Sequence, residues 1–464
     1  MTVHPRPQPA AGLADFTSWS AYASLDMQLA QYFKKSASGI IVPILFGFLP
    51  LTSCNGTKAA IAFSVLAVLS LLSTVVPLLF AGKMQPLRPG IDSDIRRNSN
   101  RTADGQRNTP TAAAAAVVIV LDQQQDSSND DEELDSHKWR IEILCYAAYA
   151  SNVFLMCTAV SLAGVVNSKY SAVSSPLLLI FFALFAVFIE CGRRNEFTWG
   201  ATQYESHQSD LKFFFDLSSE VAQTAFTGLS GTLLGNMKSS PPCLQAAQSF
   251  RAAEGFVLYA VAVGLFLMLV CTIPPALEIR STREKVVGRF LKWAAYFSLA
   301  LISLAGLFAA ATVLEAYAAF AAALLVAAGA FWFYVVHRGE PSPADAPLRW
   351  TDAGARGAAG ERSLMWLGIH SVMFGTLMAS YSASLGGQHL SALYKAGVFF
   401  IFAVLLTNFS RMVLVREVQD KGNEAWVVNV SGIAMVVLML LAVLLLILLA
   451  VLQPDQLRST FRVA

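Results

Sequence analysis

The chain has 464 residues, of which 55% are hydrophobic and 14% charged, with a formal net charge of +2. A charged fraction so far below the roughly 25% of ordinary soluble domains excludes a string of polar-surfaced globular domains. The near-neutral balance, with no basic stripe interleaved with aromatics, excludes nucleic acid as a partner.

Uncharged runs of about 20 residues recur along the chain, the length a helix needs to cross the hydrocarbon core. They predict an all-α, polytopic transmembrane helix bundle of about eleven spans, with a range of about 9 to 12. The residues before the first span, 1–35, read as a cytoplasmic N-terminal segment. No short apolar core precedes a small-residue cleavage site there, and Asp15 and Asp26 oppose an organelle transit peptide. The first membrane helix is therefore expected to start insertion itself.

Span 36–53 is short and holds Pro43 and Pro50, and 59–81 follows it. Residues 82–142 form the one long polar stretch, basic from Arg88 to Arg107 and acidic from Asp122 to Asp135, and are expected to be largely disordered. Spans 143–166 and 171–189 come next. Segment 211–237 is the least apolar, opening with Asp216 and Glu220 among phenylalanines and continuing rich in Thr, Ser and Gly. Span 255–277 is clear. Residues 293–336 are broken only by Glu315, which predicts two helices with a tight turn at Glu315 and Ala316, because one helix of that length overshoots a bilayer. A Gly, Pro and Ala-rich connector, 337–362, leads to spans 364–385, 390–410 (with Lys395 near one end) and 426–452, and 453–464 is the tail.

Charge decides the doubtful segment 211–237. With eleven crossings and a cytoplasmic N-terminus, 26 of the 33 Lys and Arg residues fall on the cytoplasmic face. Removing segment 211–237 moves every later loop across and leaves a split of about 19 to 14. The C-terminus is then extracytoplasmic. The main bundle is 143–452, and plasma membrane and endomembrane fit equally.

Chemistry-bearing motifs are sparse. The six cysteines form no CxxC, the six histidines form no HExxH, and no phosphate loop, dinucleotide fingerprint or nucleophile elbow occurs. No catalytic residue, metal or cofactor is expected, and the chain is read as not an enzyme. What remains are polar groups within spans, which are costly unless they face protein or water. Asp216, Glu220 and Gln223 share one helix face and make a line of acceptors leading inward, unless the two carboxylates simply sit in solvated headgroups beside Arg193, Arg194 or Lys212. His370 stands on a helix with a small-residue face that includes Gly375. Asn152 and Asn408 are expected to bridge neighbouring helices, Lys395 to reach for the interface, and Glu315 to sit in a solvated turn. Gly228, Gly231 and Gly235 have the small-xxx-small spacing of close helix contacts, which places 211–237 inside the bundle. Cys54 and Cys243 alone fall in extracytoplasmic loops, where a disulfide is permitted.

The stretch Phe213 to Glu220, continuing through Thr227, Gly228, Leu229, Ser230 and Gly231, resembles a segment of uncharacterised multi-pass membrane proteins of plants. That resemblance implies the same helical membrane layout and no particular activity. Two functions follow from the residues: a small-solute transporter or channel-like protein, and a non-catalytic scaffold recruiting cytosolic proteins through 82–142. Beyond the lipid bilayer and cytosolic proteins bound through 82–142 no partner is indicated, and the oligomeric state is open.

Overall fold

The computed structural model describes residues 25–41, 58–82, 139–164, 201–236, 251–273, 281–338, 373–378, 391–418 and 425–452, with isolated positions between 180 and 186. Among these residues every regular element is helical. The first helix, α1, covers 25–35 and widens into a π-helical turn over Ser36–Ile41. It is followed by α2 (Lys58–Leu78), α3 (Trp139–Gly164), α4 (Ala201–Asn236), α5 (Arg251–Thr272) and α6 (Ser281–Leu314). The remaining helices are α7 (Ala318–Arg338), α8 (373–378), α9 (Ala392–Val418) and α10 (Ala425–Leu452).

Five stretches are helical, long and apolar enough to cross a membrane: Ala60–Leu78, Trp139–Gly164, Ala253–Thr272, Leu291–Tyr334 and Ala392–Leu414. Gly432–Leu445 adds a shorter apolar helix. The predicted spans 36–53, 171–189 and 364–385 lie mostly outside the described residues, so the count of about eleven extends beyond them. Residues 83–138, 339–372 and 453–464, which take in most of the expected polar stretch 82–142, most of the connector 337–362 and the tail, lie outside as well.

The 44-residue stretch Leu291–Tyr334 is divided where its single charge stands. Glu315 takes a left-handed backbone (φ 52°) and opens a three-residue 3₁₀ turn, Glu315–Tyr317. That conformation costs a non-glycine residue about 1 kcal/mol and redirects the chain. Helix α9 shows the new direction. Its Lys395 ammonium meets the Glu315 carboxylate at 2.8 Å, its Phe402 packs beside Gly306 of α6, and its Ser410 accepts a 2.7 Å bond from the Trp332 indole of α7. From Glu315, α6 and α7 thus both run the same way along α9, and the two helices form a hairpin. Glu315 is the solvated member of its ion pair at 69% exposure, against 17% for Lys395.

A second reversal joins α2 to α3. Gly82 ends the turn after α2 with φ +72°, a conformation that suits glycine, and an added Cβ there would come within 3.1 Å of the Ala30 Cβ. The exposed carbonyl of Phe80 accepts a 2.6 Å bond from Arg140, the second residue of α3. Higher in the pair, Ser70 meets Thr158 at 2.8 Å and Thr74 meets Ser151 at 2.9 Å, which fixes α2 and α3 as antiparallel.

Segment α4 is 36 residues long, starting ten residues before the apolar pattern predicts. Its side chains are buried or half-buried from Phe213 to Thr232 although many are polar. The polarity is absorbed locally: Ser218, Thr227, Ser230 and Thr232 each donate to a carbonyl three or four residues earlier on their own helix. On one face Gly228 lies against the Phe374 ring and Gly231 against the backbone of Gly375, both in α8. On another, Gly264 of α5 packs against the Ser218 carbonyl and Ala222. Phe256 of α5 stacks on Phe308 of α6 at 5.5 Å, level with the Phe374 layer, so α5 runs antiparallel to α4.

Helix α1 is part of this bundle rather than a solvated leader. Leu29, Tyr32 and Phe33 are fully buried, and Asp26 pairs with Arg140 at 3.4 Å.

Candidate functional site

Where α1, α3, α4 and α5 meet, the packing is polar. Lys35, the last residue before the π-helical turn, donates to Glu220 of α4 at 3.4 Å and lies 3.5 Å from Asp216. Glu220 is only 8% exposed and Lys35 34%. One turn back on α1, the Tyr32 hydroxyl donates to the Ala148 carbonyl at 3.4 Å and accepts from the Asn152 amide at 3.3 Å. The same amide donates to the Leu265 carbonyl of α5 at 2.7 Å. Leu265 adjoins Gly264, which touches the Ser218 and Ala222 level of α4, so the Lys35 and Asn152 clusters lie in one layer.

Four polar atoms in this layer are buried without a protein partner: Ser36 Oγ, Asn152 Oδ1, Ser219 Oγ and Glu220 Oε2. A buried acceptor or hydroxyl left unmatched costs about 1–3 kcal/mol, and such atoms ordinarily meet water, an ion or a polar ligand. They are one amide oxygen, one carboxylate oxygen and two hydroxyls, in the layer where the Lys35 ammonium meets Asp216 and Glu220. That set suits a small cation or a polar solute bearing a donor group. Among the described residues no three His, Cys, Asp or Glu side chains converge as a metal site.

The sequence-predicted residues divide. Asp216 and Glu220 come together around Lys35, with side chains 13% and 8% exposed. Gln223, one turn on, is half-buried. Asn152 bridges three helices. Asn408 is fully buried on α9, its amide 3.9 Å from Met412 Sδ on the same helix and its Oδ1 without a partner. Gly228 and Gly231 make close contacts with α8; Gly235 lies on α4 in the next turn. His370, Cys54 and Cys243 lie outside the described residues, and Cys145, Cys157 and Cys271 are free thiols.

Sequence reasoning missed Lys35, Tyr32, Ser36 and Ser219. Lys35 stands at the boundary of an apolar run, where a hydropathy reading treats charge as the edge of a span.

No family model, no curated protein and no solved structure matches this chain. Among the described residues the protein is all-helical, with five helical stretches long and apolar enough to cross a membrane.

Proposed function

We propose that this chain is a multi-pass membrane protein of about eleven crossings that moves a small cationic or polar solute, and that the layer around Lys35, Asp216 and Glu220 is where that solute binds. The observation that carries the reading is the group of unmatched buried polar atoms beside a carboxylate pair that already holds one ammonium. The Lys35 ammonium, 3.4 Å from Glu220 and 3.5 Å from Asp216, supports a cationic group as what the two carboxylates accept.

The membrane setting is supported by the outer surfaces. On α2, Ile61, Val65, Leu72 and Val76 face outward, and on α10 so do Ile433, Leu440, Leu444 and Ile447. A continuous apolar exterior of that kind is costly in water and natural in lipid. Exposed Trp139 and Trp293, each near the N-terminal end of its apolar stretch, suit the amphipathic level of the interface. The charge asymmetry supports a cytoplasmic N-terminus, which puts the Lys35 layer toward the cytoplasmic face and the Glu315 turn on the other.

Reconstituted protein in sealed vesicles is expected to move labelled methylammonium or sodium down its gradient. Glu220→Gln is expected to abolish that flux while leaving folded yield intact. Vesicles carrying well-folded protein with no flux of sodium, potassium, proton or methylammonium reject the reading in favour of a scaffold acting through 82–142.

A further inference from the structure

A second acidic group is buried where the reading above does not use it. Glu254, in the first turn of α5, is 0% exposed, and neither carboxylate oxygen has a hydrogen-bond partner. Its position along the bundle follows from its neighbours. Phe256 stacks on Phe308, and Gly306 and Gly228 both border Phe374, so Glu254 lies in the layer of Gly228 and Gly231. Eleven residues of α4 separate Gly231 from Glu220, about 16 Å at 1.5 Å per residue. Glu254 therefore occupies the opposite half of the bundle from Lys35.

Among the described residues, the segments level with Glu254 hold nothing to match a charge. Val221 to Asn236 of α4, Ala305 to Leu314 of α6 and all of α8 contain no titratable side chain. Glu315 follows the end of α6 and is held by Lys395. On α5 itself the titratable neighbours are Tyr259, whose side chain faces outward, and Arg251, one turn earlier in sequence. An ionised carboxylate enclosed without donors is among the costliest groups a protein interior can hold, and it escapes that cost by keeping its proton.

We propose that Glu254 is a proton-binding site, a neutral carboxylic acid held inside the bundle that gives up its proton only when this layer opens to water. The inference rests on the membrane reading but not on transport of any solute. Its function would be to couple opening of the half distant from Lys35 to proton release.

An apolar carbodiimide tests it on the full chain in lipid vesicles. A protonated carboxyl adds across one C=N bond of dicyclohexylcarbodiimide: its proton goes to nitrogen and its oxygen to the central carbon. The acyl group then migrates to nitrogen with no atom lost, leaving a stable N-acylurea. Mass spectrometry is expected to find that adduct on Glu254 at neutral pH, and to find it lost in Glu254→Gln. A water-soluble carbodiimide is expected to leave Glu254 untouched. Infrared spectra give a second reading, in which a protonated-carboxyl stretch persists at a pH that ionises exposed acids and is missing in Glu254→Gln. If that variant does not fold, the wild-type adduct and band are read alone. No adduct and no band, as an Arg251-paired carboxylate would give, overturn the proposal. So does equal modification by the water-soluble reagent. Neither result depends on flux, so the site and the transport reading fail separately.

Discussion

Replacing Gly231 by alanine isolates the closest helix contact at any glycine among the described residues. An added Cβ would stand 3.0 Å from the Gly375 carbonyl carbon and 3.1 Å from its Cα, and nearer still to the carbonyl oxygen, where ordinary contacts begin at 3.4 Å. All three atoms are backbone, so no side chain can rotate aside and α4 must move away from α8. Overpacking of this kind costs about 1–3 kcal/mol, while removing a mid-helix glycine returns about 1 kcal/mol. A net loss of up to about 2 kcal/mol is expected on that difference, and Gly231→Leu, with more bulk and nowhere to put it, should sharply lower the folded yield. Gly397→Ala is the control, because nothing lies within 4 Å of its added methyl. That substitution should be neutral or gain up to about 1 kcal/mol. Thermal unfolding in detergent, followed by tryptophan fluorescence, with the monodisperse fraction measured by gel filtration, separates the two. If Gly231→Ala unfolds at or above the temperature of Gly397→Ala, the α4–α8 contact is wrong.

The Lys35–Glu220 pair should appear as coupling. Because Lys35 is 34% exposed, a double-mutant cycle of Lys35→Ala and Glu220→Gln is expected to give about 1 kcal/mol, with strictly additive losses refuting the pair. Asn152→Ala removes the bridge from α3 to α5 and to Tyr32, and a loss of about 0.6–1.7 kcal/mol is expected in thermal unfolding. An unchanged melting temperature would show that the 2.7 Å bond to Leu265 contributes nothing.

How much was legible beforehand depended on whether the signal was local. The hairpin at Glu315 was, because one charge amid 44 apolar residues can sit only at a chain end or a turn, and the structure puts the left-handed residue there. Small residues on 211–237 and on 364–385 were each visible as a stripe, yet that Gly231 meets Gly375 is a long-range pairing, which spacing within a segment cannot encode. Glu254 and Lys35 were lost to the same habit: runs were read between charges, so a charge at the edge of a run was assigned to the loop. The start of α4 at Ala201 was missed because its first ten residues are polar, and polar helix carries no hydropathy signal.

The hairpin also constrains how the chain is made. Three residues join α6 to α7, so in the membrane reading the two helices enter the bilayer together, with Glu315 carried at the leading tip. Lys395 is synthesised 80 residues later. On that reading the carboxylate crosses before its counter-ion exists, and the 2.8 Å contact can close only when α9 arrives. In the membrane reading, that late closure latches the growing end of the chain onto helices already in place.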